Sequence, residues 1–400
     1  MSRPTENPRA AGPLAGYTVV DLSRALAGPH AGQMLGDLGA RVIKVENPVS
    51  GDDSRSWGPP FVGPEDNPQA TYFFSCNRNK ESIGLDLKSD DGRATLEALI
   101  TRADVLVENF RGGVLDRLGF STSTCLELNP RLVILSITGF GHDGPEASRA
   151  GYDQIAQGEA GLMSLTGSGP DDLQKVGVPI ADLLAGMYGS YGVLAALLER
   201  ERTGRGKVVR TSLIAGVVGV HAFQGTRTTV AGQDPVPGGN HHPSLSPYGL
   251  FHCRNGAVQI SVGNENLWQK FCAAFGLDPA APGMATNAER VDNRPAVTAA
   301  VEDAFAAYEP DELLEKLSSA GIPSGIVRTL QEVYEWEQAL SQGLKVAVDH
   351  PVVGRMELPG PPLRFFDVDA DGETETTVTE HTAPPLLGEH EATIRAWLED

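Results

Sequence analysis

The chain has 400 residues, 40% hydrophobic and 21% charged, a balance that fits a soluble globular protein and excludes a disordered or fibrous one. With 52 acidic side chains against 32 basic ones the net charge is −20, which argues against nucleic acid and an anionic membrane surface as partners; a polyanionic ligand would need a local cluster of positive residues. At this length one simple core is too small, and the chain reads as two domains or as one large domain carrying an insertion.

Residues 1–16, MSRPTENPRAAGPLAG, are polar and rich in Pro, Gly and Ala, without the apolar centre of a signal peptide, and read as a loose tail. YTVVDLSRALAGPHAGQMLGDLGARVIKVE then reads strand, turn, helix, strand, with Tyr17–Leu22 and Arg41–Glu46 as the strands of a βαβ unit. The turn between them, Ser23–Gly32, carries Gly28, Pro29 and Gly32 but no full dinucleotide fingerprint. It reads either as a backbone cradle for a phosphate or carbonyl or as tight helix-to-sheet packing. Gly92–Ala103 is an amphipathic helix, Ala103–Phe110 a buried strand and Arg131–Phe140 another, an alternation that means an open α/β sheet. Arg78, Lys80 and Lys88, then Arg111 and Arg117, gather beside these strands. In so acidic a chain they suit a phosphorylated ligand or are solvated surface charge, and Asn109 with Phe110 offers an amide and an aromatic face for an adenine ring.

Gly139–Gly144, GFGHDG, has the spacing G-x-G-x-x-G, but Pro145 and the polar EASRAGYD stand where a helix would have to open, so the segment reads as a loop. The apolar run Val176–Leu198 carries one charged residue, Asp182. It reaches the roughly 20 residues of a bilayer span. Asp182, four glycines (Gly177, Gly186, Gly189 and Gly192) and the lack of a second such segment favour a buried soluble helix instead. Pro179 fits the first turn of that helix and puts Asp182 near its amino end, where free amides and the macrodipole favour a carboxylate. Asp182 is then either a cap or first-turn charge, or a nucleophile in a dry pocket.

Beyond that helix, ERERTGRGK reads as a basic loop and VVRTSL as a strand, and GQDPVPGGNHHPSLSPYG is a loop whose Gly238 and Gly239 could approach a ligand closely. A smaller α+β unit follows, from LFHCRNGAVQISVG through the helices NLWQKFCAAFG and PDELLEKLSSAG. HPVVGRMELPGPPLRFF returns to short β segments and EHEATIRAWLED closes as a helix. Cys76, Cys125, Cys253 and Cys272 lie far apart with no CxxC pair and read as reduced thiols of a cytoplasmic protein. His142 with Asp143, and the adjacent His241 and His242, lack metal-ligand spacing, and no GxSxG marks a serine hydrolase.

Several segments agree in order: AGPHAGQMLGDLGARVIKVE, NRNKESIGLDLK, VLVENFRGGVLDRLGF, GYDQIAQGEAG, ADLLAGMYGSYGVLAALLERERTGRG and, near the end, PLLGEHE. On these, from Pro13 to about Ala392, the chain resembles the class III coenzyme A transferases, the family of formyl-CoA transferase, carnitine CoA-transferase and alpha-methylacyl-CoA racemase. The resemblance implies a large Rossmann-like α/β domain that binds CoA over residues 17–224 and 331–400, a smaller α+β domain inserted at 225–330, and an interlocked homodimer. It implies acyl-CoA and a carboxylic acid as substrates, with no metal, nicotinamide or flavin and no membrane or nucleic-acid partner.

By the same resemblance Asp182 attacks the donor thioester to give a mixed anhydride, from which an enzyme-bound CoA thioester forms. CoA is implied to lie against Ala25, Leu26, Asn47, Leu85, Lys88, Asn109, Phe110, Arg111 and Arg117, with Lys88 and Arg117 on its phosphates. Asn47 stands where formyl-CoA transferase carries an arginine. Gly238, Gly239 and Asn240 correspond to a loop that closes over the site, departing from the pure glycine run of some members. Tyr152 and Asp153 are implied as supporting groups. The racemase branch has a histidine at the place of Tyr152, and a tyrosine, with an unperturbed pKa near ~10, is poorly matched to that proton exchange, which favours transfer over racemisation. NHHPSLSPYGLF resembles members that use succinyl-CoA and short dicarboxylates, with Arg24, His241 or His242 as partners for the distal carboxylate. The expected reaction is therefore transfer of CoA from succinyl-CoA to a short dicarboxylate; a racemase or epimerase and a non-catalytic CoA-binding protein are the alternatives.

Overall fold

The computed structural model describes residues 11–370 and 372–400, so residues 1–10 of the expected tail lie outside the described residues. Residues 11–16 are not loose: the Leu14 N–H donates to Leu38 O at 2.8 Å and the Leu14 side chain joins the core. The chain divides into two compact units. The first comprises the described residues up to Leu162, then Val176–Ala231 and Glu337–Asp400; the second comprises Met163–Lys175 and Gly232–Trp336.

The first unit is built on a parallel sheet of six strands: β1 (Thr18–Asp21), β2 (Arg41–Glu46), β3 (Lys80–Gly84), β4 (Val105–Glu108), β5 (Val133–Thr138) and β6 (Lys207–Ser212). Their order across the sheet is β3-β2-β1-β4-β5-β6. The chain winds outward from β1 in one direction and then in the other, so a crevice opens outside the carboxyl ends of β1 and β4, the place where doubly wound sheets receive ligands. The strands read as nearly continuous apolar runs because both faces are covered. Val105 and Val107 face one core with α1 (Ala27–Asp37) and α4 (Ile180–Thr203), whereas Leu106 faces the other with α2 (Asp90–Arg102) and α9 (Glu391–Glu399).

The long helix α4 is apolar enough to cross a membrane by composition alone, yet Ala181, Ala185, Val193 and Leu197 are packed into the sheet core. Gly186 makes the close approach to α1 possible, since a Cβ there would sit 2.6 Å from Ala27 O. The expected basic loop is shorter than its sequence suggested: Glu199–Thr203 remain helical and the turn begins at Gly204. Arg200 explains the extension, because it is buried and its guanidinium bonds Asp104 Oδ1 at 2.9 Å and Arg131 O at 3.0 Å.

The second unit has a three-stranded antiparallel sheet, β7 (Tyr248–Cys253), β8 (Gly256–Ser261) and β9 (Ser324–Gly325), in the order β9-β8-β7. Helices α6 (Glu265–Phe275), α7 (Arg294–Phe305) and α8 (Pro310–Ser319) close an aromatic core around Phe251, Trp268, Phe271 and Phe305. Its ends fall at 231/232 and 336/337, a few residues beyond those read from the sequence, and it also takes in Met163–Lys175. That addition has a local cause: Gly239 N–H donates to Gly167 O at 2.9 Å and Gln174 N–H to Thr166 O at 2.8 Å. After the second unit a hairpin of β10 (Lys345–His350) and β11 (Gly354–Pro359) leads to α9.

Candidate active site

The two loops that flank the crevice are locked to each other. Arg24 N–H donates to Asn109 Oδ1 at 2.9 Å and Asn109 Nδ2 donates back to Arg24 O at 2.7 Å, so the turn after β1 and the turn after β4 move as one piece. Glu108, the last residue of β4, fixes the next peptide by accepting the Phe110 N–H at 2.9 Å. The Arg24 guanidinium lies 5.5 Å over the Phe110 ring and 3.7 Å from Asp53. Ala25 has φ +69°, an uncommon conformation for a residue with a Cβ.

Beyond β5 the chain makes a loop pinned at its neck: Gly139 and Gly151 meet backbone to backbone, with a Cβ on Gly139 only 2.6 Å from Gly151 Cα, so neither position has room for a side chain. GFGHDG lies in this loop, and the next helix, α3 (Asp153–Glu159), begins nine residues after Gly144; no dinucleotide-type helix opens at the motif.

Asp182 is the third residue of α4, whose flanking residue Pro179 precedes the first turn and provides no side-chain cap. The cap comes from Asp153 instead. Its Oδ1 accepts the Ala181 N–H at 2.8 Å and the Asp182 N–H at 3.4 Å, while its Oδ2 takes the Gln157 amide at 2.7 Å. The amides that were expected to favour an ionised Asp182 are thus committed to another carboxylate. Burial, and then the negative charge of Asp153, push the Asp182 carboxyl up to about 7, outweighing the helix dipole.

Asp182 opens into a cavity of about 390 Å³ that also contains Arg24, Ala25, Asn109, Phe110 and Arg111 from the crevice loops, and Tyr152 and Asp153 from the start of α3. Sequence reasoning missed Asp53, Trp57, Tyr72 and Arg149, which line the same cavity. Trp57 and Tyr72 meet edge to face with centroids 4.9 Å apart. The Tyr72 hydroxyl is pushed up to about 12 by burial and then by the nearby Asp182 charge, so it keeps its proton and remains a donor. Arg149 is stacked on Phe140 and bonded to Glu146 and Glu159.

The remaining residues singled out from the sequence are dispersed. Leu26 flanks the start of α1 and is buried, as is Leu85 at the end of β3. Asn47 accepts the Val49 and Ser50 N–H groups at 2.9 Å each in a tight turn after β2. Lys88 and Arg117 are exposed. With Ser23–Leu26, Asn47, Leu85 and Asn109, the chain leaves the carboxyl ends of four adjacent strands, the rim on which a long ligand would lie. Tyr152 is 65% exposed. Gly238, Gly239, Asn240, His241 and His242 belong to the second unit, where His242 N–H donates to Tyr248 O and His241 packs edge-on against Phe251.

A larger cavity of about 670 Å³ lies beside β3 and α9, but its chief cation is already engaged: Arg41 is bidentate to Glu81 and stacked on Trp397. Among the described residues no group of three His, Cys, Asp or Glu side chains is placed to hold a metal ion. A carboxyl of raised pKa, backed by apolar packing in a switch-point cavity that Arg24, Arg111 and Arg149 also line, has the chemistry of an acyl acceptor beside an anion-binding rim.

The profile of CoA-transferase family III matches residues 14–391. The chain is 37% identical to a succinate–glutarate CoA-transferase of Agrobacterium fabrum, over 99% of this chain and 98% of that protein. It is 36% identical to the succinyl-CoA:glutarate CoA-transferase of Mus musculus, over 97% and 87%. Its structure superposes with a TM-score of 0.84 and 39% identity on the crystal structure of a CaiB/BaiF family protein from Brucella suis, covering 97% of this chain and 100% of that one.

Proposed function

The chain belongs to CoA-transferase family III and is an enzyme that uses CoA thioesters, and from that premise we propose that it moves CoA from succinyl-CoA to a short dicarboxylate, with Asp182 as the nucleophile. The observation that carries the assignment is that Asp182 lines the switch-point cavity together with Arg24 and the Asn109–Arg111 loop. An Asp182 oxygen attacks the thioester carbonyl of the donor, forming an aspartyl–acyl anhydride and releasing the CoA thiolate. The thiolate then attacks the Asp182 carbonyl, giving an enzyme–CoA thioester and free succinate. The acceptor carboxylate attacks that thioester, and the thiolate released completes the exchange on the acceptor's acyl carbon, returning Asp182 as a carboxylate. Asp153 holds the helix that carries the nucleophile, and the Ala25, Asn109, Phe110 and Arg111 rim takes the coenzyme. Water would hydrolyse the anhydride, and the apolar backing of α4 supports its exclusion.

The acceptor class is supported by the two relatives named for glutarate. Of the three groups suggested for its distal carboxylate, Arg24 lines the Asp182 cavity and carries the reading. A panel of carboxylic acids mixed with succinyl-CoA, with new thioesters detected by mass, tests it. Glutarate and its neighbours in length should react, and pentanoate, with one carboxylate fewer, should react far more slowly. Arg24→Met should raise the KM for glutarate about 10- to 100-fold, the value of a charge-assisted hydrogen bond. If only free acid and CoA accumulate, the enzyme is a hydrolase. A racemase reading gains no support, since no histidine is among the residues lining the cavity.

The enzyme is proposed to act in the cytoplasm, in keeping with its four free cysteines, three of them buried. A homodimer of the family's interlocked kind is proposed as well, supported by an apolar stripe on the outer face of α4, where Met187, Tyr191, Leu194 and Leu198 recur at helical spacing and Tyr191 and Leu198 are 72% and 71% exposed. Wild-type protein should sediment as a dimer and Tyr191→Asp/Leu198→Asp should shift it toward monomer; a wild-type monomer at micromolar concentration would refute this assembly.

A further inference from the structure

The turn after β1 is tied down at every polar atom of its backbone from Ser23 to Ala25. Ser23 N–H donates to Asp21 Oδ1 at 2.9 Å and Ser23 O accepts the Lys44 ammonium at 2.9 Å. Arg24 is paired on both sides by Asn109. Ala25 N–H donates to Asp52 Oδ1 at 3.1 Å, and Ala25 O accepts the Cys76 thiol at 3.6 Å. Such anchoring answers a conformational need: Ala25 sits at φ +69°, and a non-glycine residue stays in the left-handed region only when its surroundings over-determine it.

Two of these anchors form a pair. Lys44 Nζ lies 2.8 Å from Asp52 Oδ2, and neither side chain has any solvent exposure. Asp52 is itself fixed, its N–H donating to Glu46 Oε2 at 2.9 Å and its Oδ1 accepting Ser54 N and Oγ at 2.9 and 2.8 Å. Lys44 grips the carbonyl before Arg24 and Asp52 the amide after it, so the pair brackets the residue whose side chain enters the cavity. Neither Lys44 nor Asp52 lines that cavity. A buried ion pair adds little stability over an apolar pair of the same volume, so stability alone does not account for placing these two charges here.

We infer that Lys44 and Asp52 are positioning residues for coenzyme A: together they hold the Ser23–Ala25 turn in its left-handed form, so that Arg24 and Ala25 present the binding edge of the Asp182 cavity. The inference rests on the assignment of that cavity to CoA. Lys44→Met/Asp52→Leu tests it, because it removes both anchors without leaving an unpaired buried charge. By isothermal titration with CoA the double variant should bind about 10-fold more weakly than wild type. Adding Ala25→Gly should recover most of that loss, since glycine takes a positive φ without support. The kcat at saturating acyl-CoA should change no more than about twofold, because neither residue touches reacting atoms. A folded double variant with wild-type affinity overturns the assignment, and so does a loss that Ala25→Gly leaves in place, which would mark a merely structural role. Should the double variant fail to fold, Asp52→Asn replaces it, with an expected loss of about threefold and the same rescue. If Asn109→Ala leaves wild-type CoA affinity unchanged, the site itself lies elsewhere; wild-type binding by the Lys44/Asp52 variant alone removes only these two residues from it.

Discussion

Asp182→Ala should lower CoA exchange at least about a thousandfold and abolish the hydroxylamine-sensitive adduct that acyl-CoA leaves on the wild-type protein. Among the described residues, the other two carboxylates that line the cavity are engaged. Asp153 spends one oxygen on the amides of Ala181 and Asp182 and the other on Gln157, and Asp53 faces Arg24. The reaction needs the anion, while burial and then the Asp153 charge raise this carboxyl to about 7, so kcat/KM should climb with pH through about 7 and level off above it. Asp153→Asn keeps an oxygen for the helix amides but removes the charge, and should move the rise toward lower pH by less than the full shift, because burial is the larger cause. Exchange that survives in Asp182→Ala, or a profile flat from pH 5 to 9, would exclude Asp182 as the nucleophile.

The same carboxyl should make the folded protein less stable in alkali, and Asp182→Asn should restore what is lost. The folded-state value of about 7 lies above the ordinary 3.8, so the native state holds this proton more tightly than the unfolded chain. Its favourable contribution is complete below about pH 4 and disappears as pH rises through about 7. Near pH 9 the half-buried anion costs about 2 to 4 kcal/mol relative to a neutral group, from roughly 1.4 kcal/mol for each pH unit of displacement. The carboxamide of the Asp182→Asn variant cannot ionise. Urea denaturation should therefore find that variant more stable than wild type by about that amount at pH 9 and close to wild type near pH 4. An equal difference at both values would trace the effect to packing instead. An enzyme stabilised by losing the proposed nucleophile is the pattern expected where a site is strained for function.

How much of this was legible follows from how each feature is written into the chain. The strands were plain, because burial of both sheet faces leaves runs such as Val105–Glu108 and Val133–Thr138 unmistakably apolar. The loops at the carboxyl ends of β1 and β4 could be singled out for the same reason: once the sheet is parallel, the ligand crevice is a matter of topology. Asp182 stood out as a charge without a periodic neighbour. Asp153 could be marked only by resemblance, and its bonds to α4 span 28 residues with no spacing to betray them. Trp57 and Tyr72 lie in and after WGPPFVGPEDNPQA, a stretch with neither helical nor strand periodicity, so nothing in it pointed to a cavity wall. Glu199–Thr203 look like a loop because they are highly charged, although Glu and Arg are good helix formers and Arg200 has a partner in Asp104 that only the tertiary fold supplies.

The contact between Gly139 and Gly151 makes the intervening segment a noose whose knot is tied, by Ile214 N–H on Gly139 O, to α5 (Leu213–Val218), the short helix that follows β6. Ala147–Gly151 on its far side form part of the wall that faces Asp182. A noose can be lengthened or shortened without shifting what it hangs from. Residues gained or lost between 140 and 150 would therefore reshape the wall that faces Asp182 while leaving the strand order and the helix that carries Asp182 untouched.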